Sequence, residues 1–85
     1  MKVVSWELFP DELRAALIQQ YPAMSWRVSL NGRTEVEGVT VGVRRGGAET
    51  QIWVSAVALE PLTLHELLEM IHAEAGRQLA VQQRT

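Results

Sequence analysis

The 85-residue sequence predicts an α+β fold: a two-layer domain in which a three-stranded antiparallel meander carries two helices on one face, in the order αβββα. Three observations predict it. Apolar residues recur at helical spacing from Leu13 to Tyr21 and again from Leu64 to Leu79. The segment between them alternates with a period of two. Two turn signals, Asn31-Gly32 and Arg45-Gly46-Gly47-Ala48, divide that segment into three strands. A chain of this size buries only about 60–65% of its unfolded surface, enough for one core, so residues 1–85 are expected to form one domain.

The first helix is expected from Pro10-Asp11-Glu12, where proline suits the first turn and the two carboxylates favour the positive end of the helix dipole. Leu13, Ala16, Leu17, Gln20 and Tyr21 share one face, and Tyr21-Pro22 ends the helix because the residue before proline is driven out of the helical region. Residues 1–9 precede it, with Val3-Val4-Ser5-Trp6 as a candidate extra strand or a cover for the sheet.

Met24, Trp26, Val28 and Leu30 point one way along the first strand, and Ser25, Arg27 and Ser29 the other. The return strand is expected from about Thr34 to Arg44. Val36 has the opposite parity to Val39, Val41 and Val43, which predicts a bulge near Glu37-Gly38. Pairing across the second turn sets Val43 opposite Thr50, Val41 opposite Ile52, Val39 opposite Val54 and Arg44 opposite Glu49. Strand three is expected to continue to Leu59, with Ile52, Val54, Ala56 and Ala58 inward and Trp53, Ser55, Val57 and Leu59 outward.

The last helix has the sharpest local signal. Thr63 and Glu66 form a capping box, and Leu62 and Leu67 occupy the positions of a hydrophobic staple. Leu64, Leu67, Leu68, Ile71, Ala75 and Leu79 form its apolar stripe. Gly76 is expected to end the regular helix, with residues 80–85 as a frayed tail.

Composition narrows the function classes. Hydrophobic residues are 47% and charged residues 21%, too apolar a balance for a disordered chain. Without cysteine there is no disulfide, no thiolate nucleophile and no cysteine-based metal site. Glu7, Pro10 and Asp11 interrupt any signal-like apolar run, and nothing approaches the roughly 20 residues a membrane span needs. A cytoplasmic protein of a bacterium or a phage is expected. Charge is spread thinly: −1 over residues 1–23, +1 over 24–59 and −2 over 60–85. No segment is strongly basic, which counts against a nucleic-acid binder.

Candidate chemistry is sparse. His65, Glu69 and His72 fall on one flank of the last helix, but seven residues separate the histidines by about 10.5 Å, a poor span for one ion. A solvated helix face is the better reading. Glu35 and Glu37 share one strand face beside a turn, and the serines lie in no nucleophile motif. The four glycines from Gly38 to Gly47 fit turns and close packing, not a phosphate loop. No catalytic residue, metal or cofactor is expected.

The residues that point to a function lie on the outward sheet face: Trp53, Val57 and Leu59 beside Arg27 and Arg44, with Gly42 leaving a gap. Tryptophan flanked by arginine and apolar side chains has the composition of a protein-binding hot spot. A non-enzymatic protein-binding module is therefore expected, such as an inhibitor, adaptor or assembly factor, phage-encoded and acting on a host complex. A homodimer through strand three or the outer face is a further expectation, because Gln51 to Leu59 is a long, nearly uncharged edge candidate. The element order also resembles that of double-stranded-RNA-binding domains, in topology only, which implies nucleic-acid binding as the alternative. Those domains use a lysine-rich start to the second helix, and this chain has Thr63-Leu64-His65-Glu66 there.

Overall fold

The computed structural model describes residues 1–32 and 35–83. The elements are α1 (Phe9–Gln20), β1 (Ser25–Leu30), β2 (Gly38–Arg45), β3 (Ala48–Ser55), α2 (Ala56–Leu59) and α3 (Leu64–Gln83). The three strands form one antiparallel sheet in the order β1-β2-β3, so β2 is central and both neighbours are edges. The α+β meander inferred from the sequence is therefore the observed fold.

The alternation that predicts the strands also builds the core. Trp26, Val39, Val41, Val43, Ile52 and Val54 are buried in one cluster with Leu13 and Leu17 of α1 and Leu67, Leu68, Ile71, Ala75 and Leu79 of α3. Their strand neighbours Arg27, Ser29, Arg44, Glu49 and Gln51 are exposed. That burial pattern gives the sheet one buried face, in the core with residues of α1 and α3, and one exposed face.

The second hairpin has the expected register, Val43↔Thr50, Val41↔Ile52, Val39↔Val54 and Arg44↔Glu49, and Gly46 supplies the left-handed residue of its turn at φ 61°. The first hairpin differs. Leu30 pairs with Val39, so the two strands are not joined by a tight Asn31-Gly32 turn. The Asn31 N–H donates to the Gly38 carbonyl at 2.9 Å, and β2 enters the ladder there without a bulge. The parity change is absorbed in the loop, where Glu35 has φ 64° and the Glu37 carbonyl accepts from Ala56 N–H at 2.7 Å. Thr34, where the sequence starts the strand, lies outside the described residues.

Strand three stops four residues early. Ser55 acts as an N-cap, its Oγ accepting from Ala58 N–H at 3.1 Å, and the chain turns into α2. Val57 therefore projects from a helical turn at 66% exposure, and Leu59 is a core residue at 1%. Neither lies on the outward sheet face. Residues 1–8 form no strand either. The Met1 ammonium donates to the carbonyls of Leu59 (2.6 Å), Glu60 (2.7 Å) and Leu62, at the corner between α2 and α3. Trp6 packs edge-on against Phe9 at 5.6 Å. The segment thus sits beside α1 and the start of α3, where it lines a groove with Glu12, Leu13 and Leu64, and among the described residues it does not lie over the outer sheet face.

The capping box on α3 is complete: Thr63 N–H donates to Glu66 Oε1 at 2.9 Å, and Glu66 N–H donates to Thr63 Oγ1 at 3.1 Å. Gly76 does not end the helix. A helical glycine costs about 1 kcal/mol relative to alanine, which the buried Ala75 and Leu79 on either side offset. Residues 80–83 are helical where a frayed tail was expected, and residues 84–85 lie outside the described residues.

Thr63→Ala is expected to cost ~1 kcal/mol. Hydrogen bonding from the Thr63 backbone, and then from its side chain, holds the Glu66 carboxyl below the usual glutamate range. A depressed folded-state pKa gives stability that is present above the ordinary value near 4.5 and lost as pH falls through the folded value. Urea midpoints at neutral and acid pH should therefore converge for wild type and Glu66→Gln on acidification; a constant difference would contradict the linkage.

Candidate functional site

The bare sheet face presents three rows of side chains fixed by the ladder. From the hairpin turn toward the loop, Ser25 lies across from Arg44 and Glu49, Arg27 from Gly42 and Gln51, and Ser29 from Thr40 and Trp53. Of the five residues expected here, the structure brings Trp53, Arg27 and Arg44 onto the face and removes Val57 and Leu59.

Trp53 is held in one orientation. Its ring lies against Gly38, where an added Cβ would come within 2.8 Å of Cε2, Cζ2 and Nε1. The ring Nε1–H donates to the Asn31 carbonyl at 2.6 Å. Glycine at 38 is what lets the ring settle on the sheet, and this diagonal contact corrects the expectation that Gly42 provides the gap. The loop after β1 fixes the indole by its backbone. Asn31 is itself tied to the face, since its Nδ2 donates to Thr40 Oγ1 at 3.0 Å.

Two residues farther along the strands, roughly 7 Å, the face turns cationic at Arg27, and two more reach Arg44 and Glu49, roughly 14 Å from Trp53. Arg44 donates to Glu49 Oε2 at 3.2 Å, joining the two strands as the register requires. Arg27 has no side-chain hydrogen bond or ion pair among the described residues. A third guanidinium arrives from α1: Arg14 Nε–H donates to the Trp26 carbonyl at 3.0 Å, on the edge of β1 that β2 does not occupy. Arg14, Arg27, Arg44, Ser25, Gly42 and Glu49 surround a cleft of about 330 Å³. Arg14 was missed by the sequence reading. Its place on the polar side of a helix carries no signal of this role until α1 is laid along β1.

Among the described residues, two further ion pairs lie on α3. His65 meets Glu69 at 2.7 Å on an exposed stretch of α3. His72 departs from the expected solvated flank: it is half-buried, its ring stacked on Tyr21 at 3.9 Å with an interplanar angle of 4°. The Arg77 guanidinium, with help from Gln78, holds the Glu74 carboxyl below the usual range, and Glu74 in turn raises Arg77. Among the described residues no three histidine or carboxylate side chains gather as a metal ion would require.

A second concavity, of about 660 Å³, lies between β3 and α3, walled by Gln51, Ile52, Trp53, Ala58, Met70 and Ala73, so the Trp53 ring borders it as well as the sheet face. Among the described residues no helix is long and apolar enough to cross a membrane. No protein-family model, curated protein or solved structure matches the chain.

Proposed function

We propose that this chain is a small non-enzymatic protein-binding module, an inhibitor, adaptor or assembly factor of the cytoplasm of a bacterium or a phage-infected cell, that docks its partner on the bare face of the sheet. The observation that carries this reading is the combination of an uncovered sheet face with a tryptophan already fixed in place. A preorganised aromatic loses little side-chain entropy on binding, and tryptophan with arginine nearby is the commonest hot-spot composition. The N-terminal segment packs on Phe9 and at the corner between α2 and α3, which supports a docking role for the sheet face over internal cover by that segment.

Self-association is a second reading, favoured by β3 being an edge strand beside the β3–α3 concavity. Nucleic-acid binding is disfavoured by the small extent of the cationic patch and the formal charge of −2.

Capture of partners on immobilised wild-type protein, from nuclease-treated lysate of the source cell, tests the class. A protein of another sequence, retained after nuclease and lost when Trp53 is changed to alanine, is the expected result. Recovery of nucleic acid alone, released at moderate salt, would overturn the reading, and recovery of the same chain alone would favour the self-associated form.

A further inference from the structure

We infer that the cleft at the β1 edge of the bare face is a carboxylate subsite, which takes one or two acidic side chains of the docked partner polypeptide. The inference rests on the binding-module reading and names the chemistry of the partner at that surface.

Three guanidinium groups from three different elements, Arg14 of α1, Arg27 of β1 and Arg44 of β2, line one cleft with a single carboxylate, Glu49. Two of them are held by the fold through Trp26 O and Glu49. Each such contact uses only part of a guanidinium, which has five N–H donors and no acceptor. Arg27 stands opposite Gly42, which has no side chain to fill the space above β2. An Arg fork matches a carboxylate in a planar, two-bond geometry, and a charge-assisted pair of this kind is stronger than a neutral hydrogen bond.

Charge and size select the occupant. One carboxylate against three guanidiniums leaves two positive charges in excess, which one anionic side chain would halve and two would balance. A phosphate backbone needs a longer basic track, whereas this cleft of about 330 Å³ is bounded by Glu49. The Trp53 row lies two residues from the Arg27–Gly42 row and four from Arg44–Glu49, roughly 7 and 14 Å, within reach of apolar residues a few positions from the acidic one.

The test is a titration of ¹⁵N-labelled protein with a ten-residue peptide of alternating Glu and Gly, followed at the arginine Nε–H groups and the Gly42 amide. Saturable shifts at Arg14, Arg27, Arg44 and Gly42 are expected, absent with the corresponding Gln–Gly peptide. Arg27→Gln should weaken the peptide about tenfold without moving the thermal midpoint, since Arg27 is exposed. No saturable shift at these four residues would overturn the inference. So would tighter binding of a ten-nucleotide single strand, or of inorganic phosphate, at the same residues. A captured partner that depends on Trp53 and is indifferent to Arg27→Gln would remove the carboxylate subsite and leave the binding module standing; indifference to both would remove both.

Discussion

Trp26→Ala is expected to destabilise the fold by about 3–5 kcal/mol, measured as a loss or collapse of the urea transition by circular dichroism. An 85-residue domain has a total stability of about 4–13 kcal/mol, so the variant sits at or near the unfolding threshold. Trp26 is 4% exposed, and its Nε1–H donates to the Tyr21 carbonyl at 3.0 Å. Its ring meets Tyr21 at 6.2 Å, and Tyr21 stacks on His72 of α3. One side chain thus fastens the first strand to the end of α1 and, through Tyr21, to α3. Truncation leaves a cavity in a core with few residues able to collapse into it. Trp26→Phe keeps most of the volume and strands one carbonyl, and should cost only about 1–2 kcal/mol. Equal, small effects from both substitutions would show that Trp26 does not organise the core.

Trp53→Ala should behave in the opposite way. Its ring is half-buried on the bare face, so removal forfeits partial burial and one hydrogen bond, about 1–2 kcal/mol together. The chain should still unfold cooperatively and remain mostly folded in the absence of denaturant. Binding should suffer far more: a central aromatic hot spot is worth about 2 kcal/mol or more, a loss of roughly 30-fold in affinity. Val57→Ser is the matched control. Val57 is more exposed than Trp53 yet projects from α2, off the face, so its replacement should leave both stability and binding within about 0.5 kcal/mol of wild type. A Trp53→Ala variant with wild-type affinity, or a Val57→Ser variant that loses the partner, would place the contact elsewhere.

The parts of the fold legible in the sequence are those settled within a few residues. The capping box at Thr63 and Glu66 is one such signal, and the Arg45–Ala48 turn is another, because its two central glycines allow only one close register for the flanking valines. The first hairpin is different. Asn31-Gly32 marks where β1 ends, but the partner of Leu30 is chosen by the burial of Trp26 and Val43, a tertiary constraint that passes over a local turn signal. Ala56 to Leu59 fits strand alternation and a single helical turn equally well over four residues. The Ser55 cap and the Ala56–Glu37 hydrogen bond decide it, and the second of these joins residues far apart in sequence. Gly76 misled for the same reason, since packing on both sides outweighed its intrinsic preference. Of the site, Trp53, Arg27 and Arg44 follow from strand parity, whereas Gly38 under the indole and Arg14 in the cleft depend on contacts no periodicity encodes.

The most direct measurement of where the partner docks is photo-crosslinking in the source cell, with a benzophenone amino acid placed at Ser29 on the bare face or at Ala73 on the exposed side of α3. A discrete protein adduct from position 29 and none from position 73 is the result expected if the exposed sheet face is the binding surface. Adducts from position 73 alone would contradict it and move the site to the concavity between β3 and α3.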